Sequence, residues 1–429
     1  MDFDHHAPST DAVLYDLIYN GALNCAHHEK YGTNRQENTV SPILHRPTLL
    51  LKVALVAMLP WLVCAEESRP NDDTGVFASM HSLAGDVQVL LPLIYGREQL
   101  DPADRELIAD TLGDMQSHVA NLAPMAASTA TYQISYEILA SQLKQAQSEL
   151  TQGRDAYAVD LLRSAVSVCA TCHTQDDRTA SWLAPAVTGG SADSFVNGEF
   201  LFMTRQYDAA FTAYESWLQQ HETLVDNSRT RTAFERLLLT ALQVKKSPTA
   251  LQEVIAEFVQ HEGLAVTLEK DLRAWRDGLA ELQTQTDIST HPDRESLGTL
   301  VETWLGKAGD KSAARIYLPE TRRPQIVWLR GELYRALNEE TDASMVPQWL
   351  YWLAVSDRLL EYRFYYSLAD MYLKQCMLEY SSHPIARHCY GEYENYLIFF
   401  NTGSSGTHLP PESEAELEML RSRVFGNPE

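Results

Sequence analysis

The stretch Val-Ser-Val-Cys-Ala-Thr-Cys-His-Thr-Gln, residues 166–175, closes a helical pattern that begins near Arg154. Apolar or small residues recur in this pattern at alternating spacings of four and three, which is typical of one face of an α-helix. They are Ala158, Leu162, Ala165, Cys169 and Cys172. The pattern therefore predicts a helix that directs both cysteines towards a protein core.

Three more helical segments precede this one. The segment FASMHSLAGDVQVLLPLI at 77–94 carries an apolar seam, the next begins with Asp101 as N-cap and Pro102 in the first turn, and the third ends before Gly153. The seam residues are Phe77, Met80, Ala84, Val87, Leu91 and Ile94. Short connections make successive helices antiparallel neighbours. We therefore expect an all-α protein whose residues 74–178 form an up-down four-helix bundle.

The motif Cys169-Ala-Thr-Cys172-His173 has the pattern of a c-type haem attachment site. Two thiols at this separation can add across the two vinyl groups of one haem, and the adjacent imidazole can reach the iron. A thioredoxin-like pair would be expected in a βαβ setting, and a zinc site would need a second pair of ligands at the usual spacing. A chance motif is the remaining alternative. We interpret the motif as the site of one covalently bound haem c.

Residues 74–178 resemble a class II c-type cytochrome, the group that contains cytochrome c-prime and its six-coordinate, low-spin relatives. Those domains are four-helix bundles with the CxxCH motif late in the last helix, as it is in this sequence. The resemblance implies that Cys169 and Cys172 hold the haem by thioether bonds. It also implies that His173 is the proximal ligand of the iron. The family pattern says nothing about the roughly 250 residues that follow the motif.

A second axial ligand is suggested by the low-spin members of this family, in which a methionine on the first helix binds the iron. Met80 matches that position, on the predicted seam and 93 residues before His173. Two alternatives stay open. Met80 could serve only as core packing, and the neighbouring His81 could be the ligand instead.

The apolar run LLLKVALVAMLPWLVCA at 49–65 has the features of a secretory signal. We predict a signal peptide at 47–65 with cleavage after Ala65, and therefore a bacterial periplasmic protein. A retained membrane anchor and a lipoprotein linkage through Cys64 are the alternatives. Residues 1–46 are polar and are expected to be an extension that lies upstream of the true start of translation.

The chain is strongly acidic, with 58 Asp and Glu residues against 34 Lys and Arg residues and a net charge of -24. Such a chain repels nucleic acid and anionic membrane surfaces. We therefore expect no nucleic-acid partner, a membrane association only if the signal segment is retained, and a redox partner protein that is basic.

Residues 190–285 resemble a tetratricopeptide-like helical region. The segment GEFLFMTRQYDAAFTAYESWL at 198–218 has Tyr207, the small Ala210 and Tyr214 at repeat-like positions. A second, weaker copy places Ala250 where Ala210 stands in the first. An irregular helical domain is the alternative.

Residues 296–425 are predicted to form a further helical domain that contains a cysteine pair. Cys376 and Cys389 lie about equally far from a turn near residue 382, on two helices that would face each other. A disulfide across this hairpin is one interpretation, and two buried free thiols are the other. The stretch 286–298 is expected to separate the two helical parts.

Two functions from different classes follow. In the first, the protein is an exported electron carrier, not an enzyme, and its repeat region docks a redox partner. In the second, the haem iron is five-coordinate and binds a small gas or peroxide, so that the protein is a sensor or scaffold. Met80 distinguishes them, because a six-coordinate iron has no open position. A role as scaffold alone is a third reading.

Overall fold

The protein is represented by a computed structural model that describes residues 73–97, 99–126, 130–175, 193–221, 224–261, 263–288, 290–309, 318–340, 342–360, 368–403 and 406–426. Across these residues the chain is helical apart from one short β-hairpin, so the predicted all-α class is confirmed. The predicted signal peptide at 47–65 and the extension at 1–46 lie outside the described residues.

The first helices follow the predicted segments closely. They are α1 (Asp73–Gly96), α2 (Pro102–Ala120), the short α3 (Ala123–Ala126), α4 (Ala130–Thr151) and α5 (Asp155–His173). Asp101 caps α2, because its Oδ1 accepts a hydrogen bond of 2.8 Å from the backbone N–H of Asp104. Gly153 has a φ of 75°, which a glycine adopts without strain in the turn between α4 and α5.

The buried face of α1 differs in part from the predicted seam. Val87, Leu91 and Ile94 are buried as expected, but Phe77 is 50% exposed and Met80 is half-buried. The buried positions also include Ser79, Leu83, Leu90 and Leu93. The segment is apolar on more than one side, so its spacing allowed two neighbouring faces, and packing selected the one with more leucines. The prediction for Phe77 is therefore wrong.

Successive long helices among α1, α2, α4 and α5 are antiparallel. Polar side chains join each helix to the next, namely His118 to Asp86, Gln116 to Gln147, and Gln142 to Ser164. Arg105 also pairs with Asp155, which brings the start of α2 beside the start of α5. The end of α5 therefore lies at the end of this helical group where α2 stops.

The middle of the chain consists of helix pairs. These are α6 (Ser194–Met203), α7 (Tyr207–Gln219), α8 (Ser228–Leu239), which a π-helical turn at Thr240–Val244 extends, α9 (Pro248–Phe258) and α10 (Val266–Gln285). Helices α6 and α7 approach closely, since a Cβ atom on Gly198 would lie 2.8 Å from the ring of Tyr214. Tyr207, Ala210 and Tyr214 are all buried.

The second repeat-like copy is different. Ala250 is exposed, and it is Leu251 that is buried, so the predicted close crossing at Ala250 is wrong. The physical reason lies just upstream. The π-helical turn at Thr240–Val244 and Lys246, whose φ is 52°, change the direction in which the chain enters α9.

The last part of the described chain is also helical. Its elements are α11 (Arg294–Leu305), a 3₁₀ turn (Glu320–Arg322), α12 (Arg323–Glu339), α13 (Val346–Leu360), α14 (Ala369–Glu379), α15 (Ala386–Phe400), β1 (Thr402–Gly403), β2 (Gly406–Thr407) and α16 (Pro411–Phe425). The two strands are antiparallel and pair Thr402 with Thr407. Between α10 and α11 the chain leaves the helical conformation, where a boundary was expected.

A disulfide joins Cys376 on α14 to Cys389 on α15. Both cysteines are fully buried, and their Cα atoms are 6.5 Å apart. Because α14 ends at Glu379 and α15 begins at Ala386, the bridge crosses a helical hairpin as the spacing predicted. The interpretation as two free thiols is excluded.

The described residues from Gly75 onward belong to one compact unit. Contacts at the end of α1 help to hold it together: Tyr95 donates a hydrogen bond of 3.3 Å to Glu199, and Arg229 donates one of 2.7 Å to the carbonyl of Tyr95. Glu199 is fully buried and forms an ion pair with Arg236. Its charge is therefore compensated inside the protein, as a buried carboxylate requires.

Among the described helices, the Gly75–Gly96 part of α1 is long and apolar enough to cross a membrane by length and composition. Its mean hydropathy is 1.3, and 39% of the window is buried inside the protein. The core helix of a soluble protein passes the same test, so this property alone assigns no membrane span.

Candidate functional site

Cys169, Cys172 and His173 occupy the last turns of α5. His173 is the final helical residue, and the backbone N–H of Thr174 closes the helix by donating to the carbonyl of Ala170 at 3.0 Å. Both cysteines are half-buried, and neither forms a disulfide. The structure therefore brings three of the four predicted site residues together on one rigid element.

The environment of Cys169 opposes its thiolate form. Burial, with a smaller contribution from Cys172, raises the pKa of Cys169 to about 12. The carboxyl end of a helix carries partial negative charge, which also disfavours an anion there. A thioredoxin-like cysteine needs a lowered pKa and is commonly found at a helix N-terminus. The site therefore suits covalent attachment better than thiol exchange.

The register between α4 and α5 shows what faces the motif. Gln142 donates to Ser164 at 3.0 Å, and Gln175 donates to Ser135 at 3.5 Å. Cys172 lies between Ser164 and Gln175 along the chain. It is consequently level with the part of α4 between Ser135 and Gln142, which is the first half of that helix.

Met80 lies at the same end of the helical group. His118, two residues before the end of α2, lies 2.8 Å from Asp86 on α1. Met80 is six residues before Asp86, or about 9 Å along the helix axis at 1.5 Å per residue. Met80 is therefore beyond the point at which α2 stops, as the end of α5 is.

A second contact gives the level of Met80 relative to His173. Arg163 on α5 donates hydrogen bonds of 2.9 and 2.6 Å to the carbonyl of Ile94 on α1. From this crossing, His173 is ten residues or about 15 Å along α5, and Met80 is fourteen residues or about 21 Å back along α1. The two levels differ by about one helical turn. Met80 is half-buried and His81 is exposed.

Sequence reasoning missed one direct contact to the motif. The hydroxyl of Tyr207, the first residue of α7, donates a hydrogen bond of 2.9 Å to the backbone carbonyl of His173. Tyr207 is 1% exposed. The sequence placed Tyr207 at a repeat-like position, but no sequence pattern connects it with a histidine 34 residues earlier.

A buried polar cluster on later helices includes a tyrosine within electrostatic range of the motif. Arg330 forms an ion pair with Asp357 and donates to the hydroxyl of Tyr334 at 2.7 Å, and the hydroxyls of Tyr334 and Tyr372 are 2.7 Å apart. Burial and then Asp357 are the main causes that raise the pKa of Tyr372, and Cys172 adds a small contribution. Tyr372 is therefore within electrostatic range of the second motif cysteine.

A metal ion and a c-type haem require different sets of protein side chains. Among the described residues, no group of three or more His, Cys, Asp or Glu side chains could hold a metal ion. A c-type haem needs a different set, two thiols at a fixed separation and one imidazole beside them. Cys169, Cys172 and His173 provide that set on one face and end of α5, so the residues fit a haem.

Comparison with protein-family models, curated proteins and solved structures finds no match to this chain.

Proposed function

We propose that the protein is an exported c-type cytochrome that transfers electrons through one covalently bound haem c. Helices α1, α2, α4 and α5 would form the four-helix haem bundle within residues 74–178. The later helices would form a tetratricopeptide-like region that docks a basic redox partner protein. The protein would be an electron carrier and not an enzyme.

The observation that carries this proposal is the state of the two motif cysteines. Neither forms a disulfide, they are three residues apart and followed by His173 at the end of a helix, and the pKa of Cys169 is raised to about 12. Together these properties disfavour a redox dithiol, while the ligand count disfavours a zinc site. Haem attachment uses every member of the motif.

Each residue then has a defined role. Cys169 and Cys172 would anchor the group through their sulfur atoms, and His173 would offer its imidazole to the iron. Met80 would offer a thioether from α1. When bound, the haem supplies one-electron chemistry at a potential set by its axial ligands and its burial. The chain positions the ligands and keeps water from part of the site.

The helical arrangement supports both parts of the proposal. The antiparallel order of α1, α2, α4 and α5 supports an up-down bundle. In the later region, Gly198 packs against Tyr214 and Ala210 is fully buried, as in closely crossing repeat helices. The exposed Ala250 limits this likeness to the pair α6 and α7.

Export is supported by the bridge between Cys376 and Cys389, because structural disulfides are typical of oxidising compartments. A periplasmic location is also what covalent haem attachment requires of a bacterial chain. The predicted signal at 47–65 would provide the route.

One observation favours the second candidate function. Met80 is half-buried beside the buried face of α1, whereas Ser79 and Leu83 lie on that face. If the thioether of Met80 stays off the iron, the haem would be five-coordinate and open to a gas or peroxide. The protein would then be a haem sensor or scaffold.

The proposal is tested by producing the chain together with a c-type haem maturation system and precipitating it with acidified acetone. We expect a red precipitate that contains one haem per chain. Cys172→Ala should weaken the retention of haem in this assay. Cys376→Ser is the matched control, because it removes a cysteine from outside the motif, and it should leave the haem content unchanged. A colourless wild-type protein would refute the proposal.

A further inference from the structure

We infer that Tyr207 is a positioning residue for His173, and that the region after the haem motif is therefore part of the haem site as well as a docking surface. This inference rests on the proposed function, because it assigns His173 to the iron. It adds a residue that the class II cytochrome pattern does not contain, since that pattern ends near residue 178.

The contact itself is direct. The phenol of Tyr207 donates to the carbonyl oxygen of His173 at 2.9 Å, and Tyr207 is 1% exposed. The last four carbonyl groups of an α-helix have no intrahelical partner. His173 is the last residue of α5, so its carbonyl is one of these groups. Tyr207 supplies a donor to it from a different helix.

The donor is also held firmly. Tyr207 opens α7 directly after the turn from α6, and its ring packs edge-on against Phe202 with 5.5 Å between the ring centroids. Phe202 is fully buried. A phenol fixed at its ring and bonded at its hydroxyl leaves the backbone of His173 little freedom to move.

A second residue of the later helices interacts with the motif at Cys172. Tyr372 is fully buried, is 2.7 Å from the hydroxyl of Tyr334, and lies within electrostatic range of Cys172. Arg330 and Asp357 complete this cluster as a buried ion pair. Later helices thus contact the end of α5 at His173 and place Tyr372 within electrostatic range of Cys172.

This arrangement has a chemical consequence for an axial ligand. Groups that orient a ligating histidine commonly change metal affinity by about 10- to 100-fold when they are removed. Without the bond from Tyr207, the last turn of α5 can fray, and the imidazole of His173 holds ferric iron less firmly. The midpoint potential should then rise, because the ferric form loses more stabilisation than the ferrous form.

The test compares two tyrosines on the same helix. Tyr207→Phe removes the bond to His173, and Tyr214→Phe removes a bond of 2.5 Å to the buried Glu199. Both side chains are at least 99% buried, so both variants should lose stability in thermal unfolding, and Tyr214→Phe should lose at least as much because its bond is to a carboxylate. Only Tyr207→Phe should raise the midpoint potential, with a change of about tenfold in the ferric–ferrous equilibrium. It alone should also alter the electron paramagnetic resonance spectrum of the ferric protein.

A haem-free measurement gives an independent readout. In a Cys169→Ala/Cys172→Ala chain, Tyr207→Phe should accelerate amide hydrogen exchange in the last turn of α5, and Tyr214→Phe should not. If Tyr207→Phe does not fold, 3-fluorotyrosine at position 207 keeps the ring and makes the phenol a stronger donor. That protein should show a potential shift of the opposite sign.

The outcomes separate the two proposals. A protein that never retains haem refutes the proposed function. A red protein whose potential and spectrum change equally in the Tyr207 and Tyr214 variants, or in neither, refutes the positioning role while leaving the cytochrome intact.

Discussion

The two cysteine pairs in the described part of the chain differ in their bonding. Cys376 and Cys389 are 13 residues apart on two helices, fully buried and bridged. Cys169 and Cys172 are three residues apart on one helix, half-buried and not bridged. The Cα atoms of Cys376 and Cys389 are 6.5 Å apart, and residues three apart on a helix are also neighbours. Proximity therefore does not decide the function of a cysteine pair.

Loop closure explains part of the contrast. In the chain-entropy model, a bridge over the hairpin stabilises the fold by about 3 kcal/mol, while one over three residues gives about 2 kcal/mol and must fit helix geometry. The hairpin bridge also joins two elements that could separate, whereas the helix already orders the other pair. Cys169 and Cys172 are therefore better suited to binding a group than to stabilising the chain.

The largest expected effect concerns Met80 in the haem-loaded protein. Met80→Ala should open the iron to carbon monoxide in the ferrous state and abolish any sulfur-to-iron absorption in the far red of the ferric state. Met115→Ala is the matched control, because Met115 is a buried methionine on α2 with 4% exposure. It should lower stability more than Met80→Ala does and leave the iron closed.

Carbon monoxide titration followed by visible absorption measures this difference. Equal binding by the wild type and the Met80 variant would show that Met80 is packing only. The five-coordinate sensor would then replace the electron carrier as the proposed function.

The next effect concerns the alkylation of Cys169 and Cys172 in a haem-free chain. With its pKa raised to about 12, Cys169 should be about one part in ten thousand thiolate at pH 8. An ordinary cysteine with a pKa of about 8.5 is about one quarter thiolate at that pH. Alkylation of Cys169 by iodoacetamide should thus be about a thousandfold slower than that of a cysteine peptide, and its rate should still increase at pH 10.

Mass spectrometry of timed samples measures the alkylation of each cysteine. A rate that levels off near pH 7 would indicate a thiolate of the thioredoxin kind. That result would identify Cys169 and Cys172 as a redox site. It would contradict the separate roles of the two cysteine pairs.

The smallest expected effect is on stability. Cys376→Ser/Cys389→Ser should lower the free energy of unfolding by about 3 kcal/mol, through loss of the hairpin cross-link. Cys169→Ala/Cys172→Ala in the haem-free chain should lower it by less than about 1 kcal/mol, because these side chains are half-buried and unbridged. Urea unfolding followed by circular dichroism compares the two. Equal losses would contradict the separate roles assigned to the pairs.

Local signals in the sequence predicted much of this structure. Asp101 caps α2, Gly153 forms the turn before α5, and the CxxCH motif ends a helix, because each depends on residues within a few positions of one another. The hairpin bridge was also predictable, since Cys376 and Cys389 are placed about equally around a short turn.

Properties that depend on distant packing were less accessible. The exposure of Phe77 reflects which face of an almost wholly apolar helix meets its neighbours. Ala250 departs from its repeat position because of a π-helical turn that periodicity does not reveal. The hydrogen bond of Tyr207 to His173 joins parts of the chain that have no common pattern.

The bonds from later helices to the first ones bear on how this chain could have arisen and how it can be re-engineered. Arg229 reaches back to the carbonyl of Tyr95, and Tyr207 reaches back to His173. A gene segment ending after Gln175 would encode helices that lack both donors. The two parts should therefore be inherited together, and a graft of the CxxCH helix onto another scaffold should carry α6 and α7 with it.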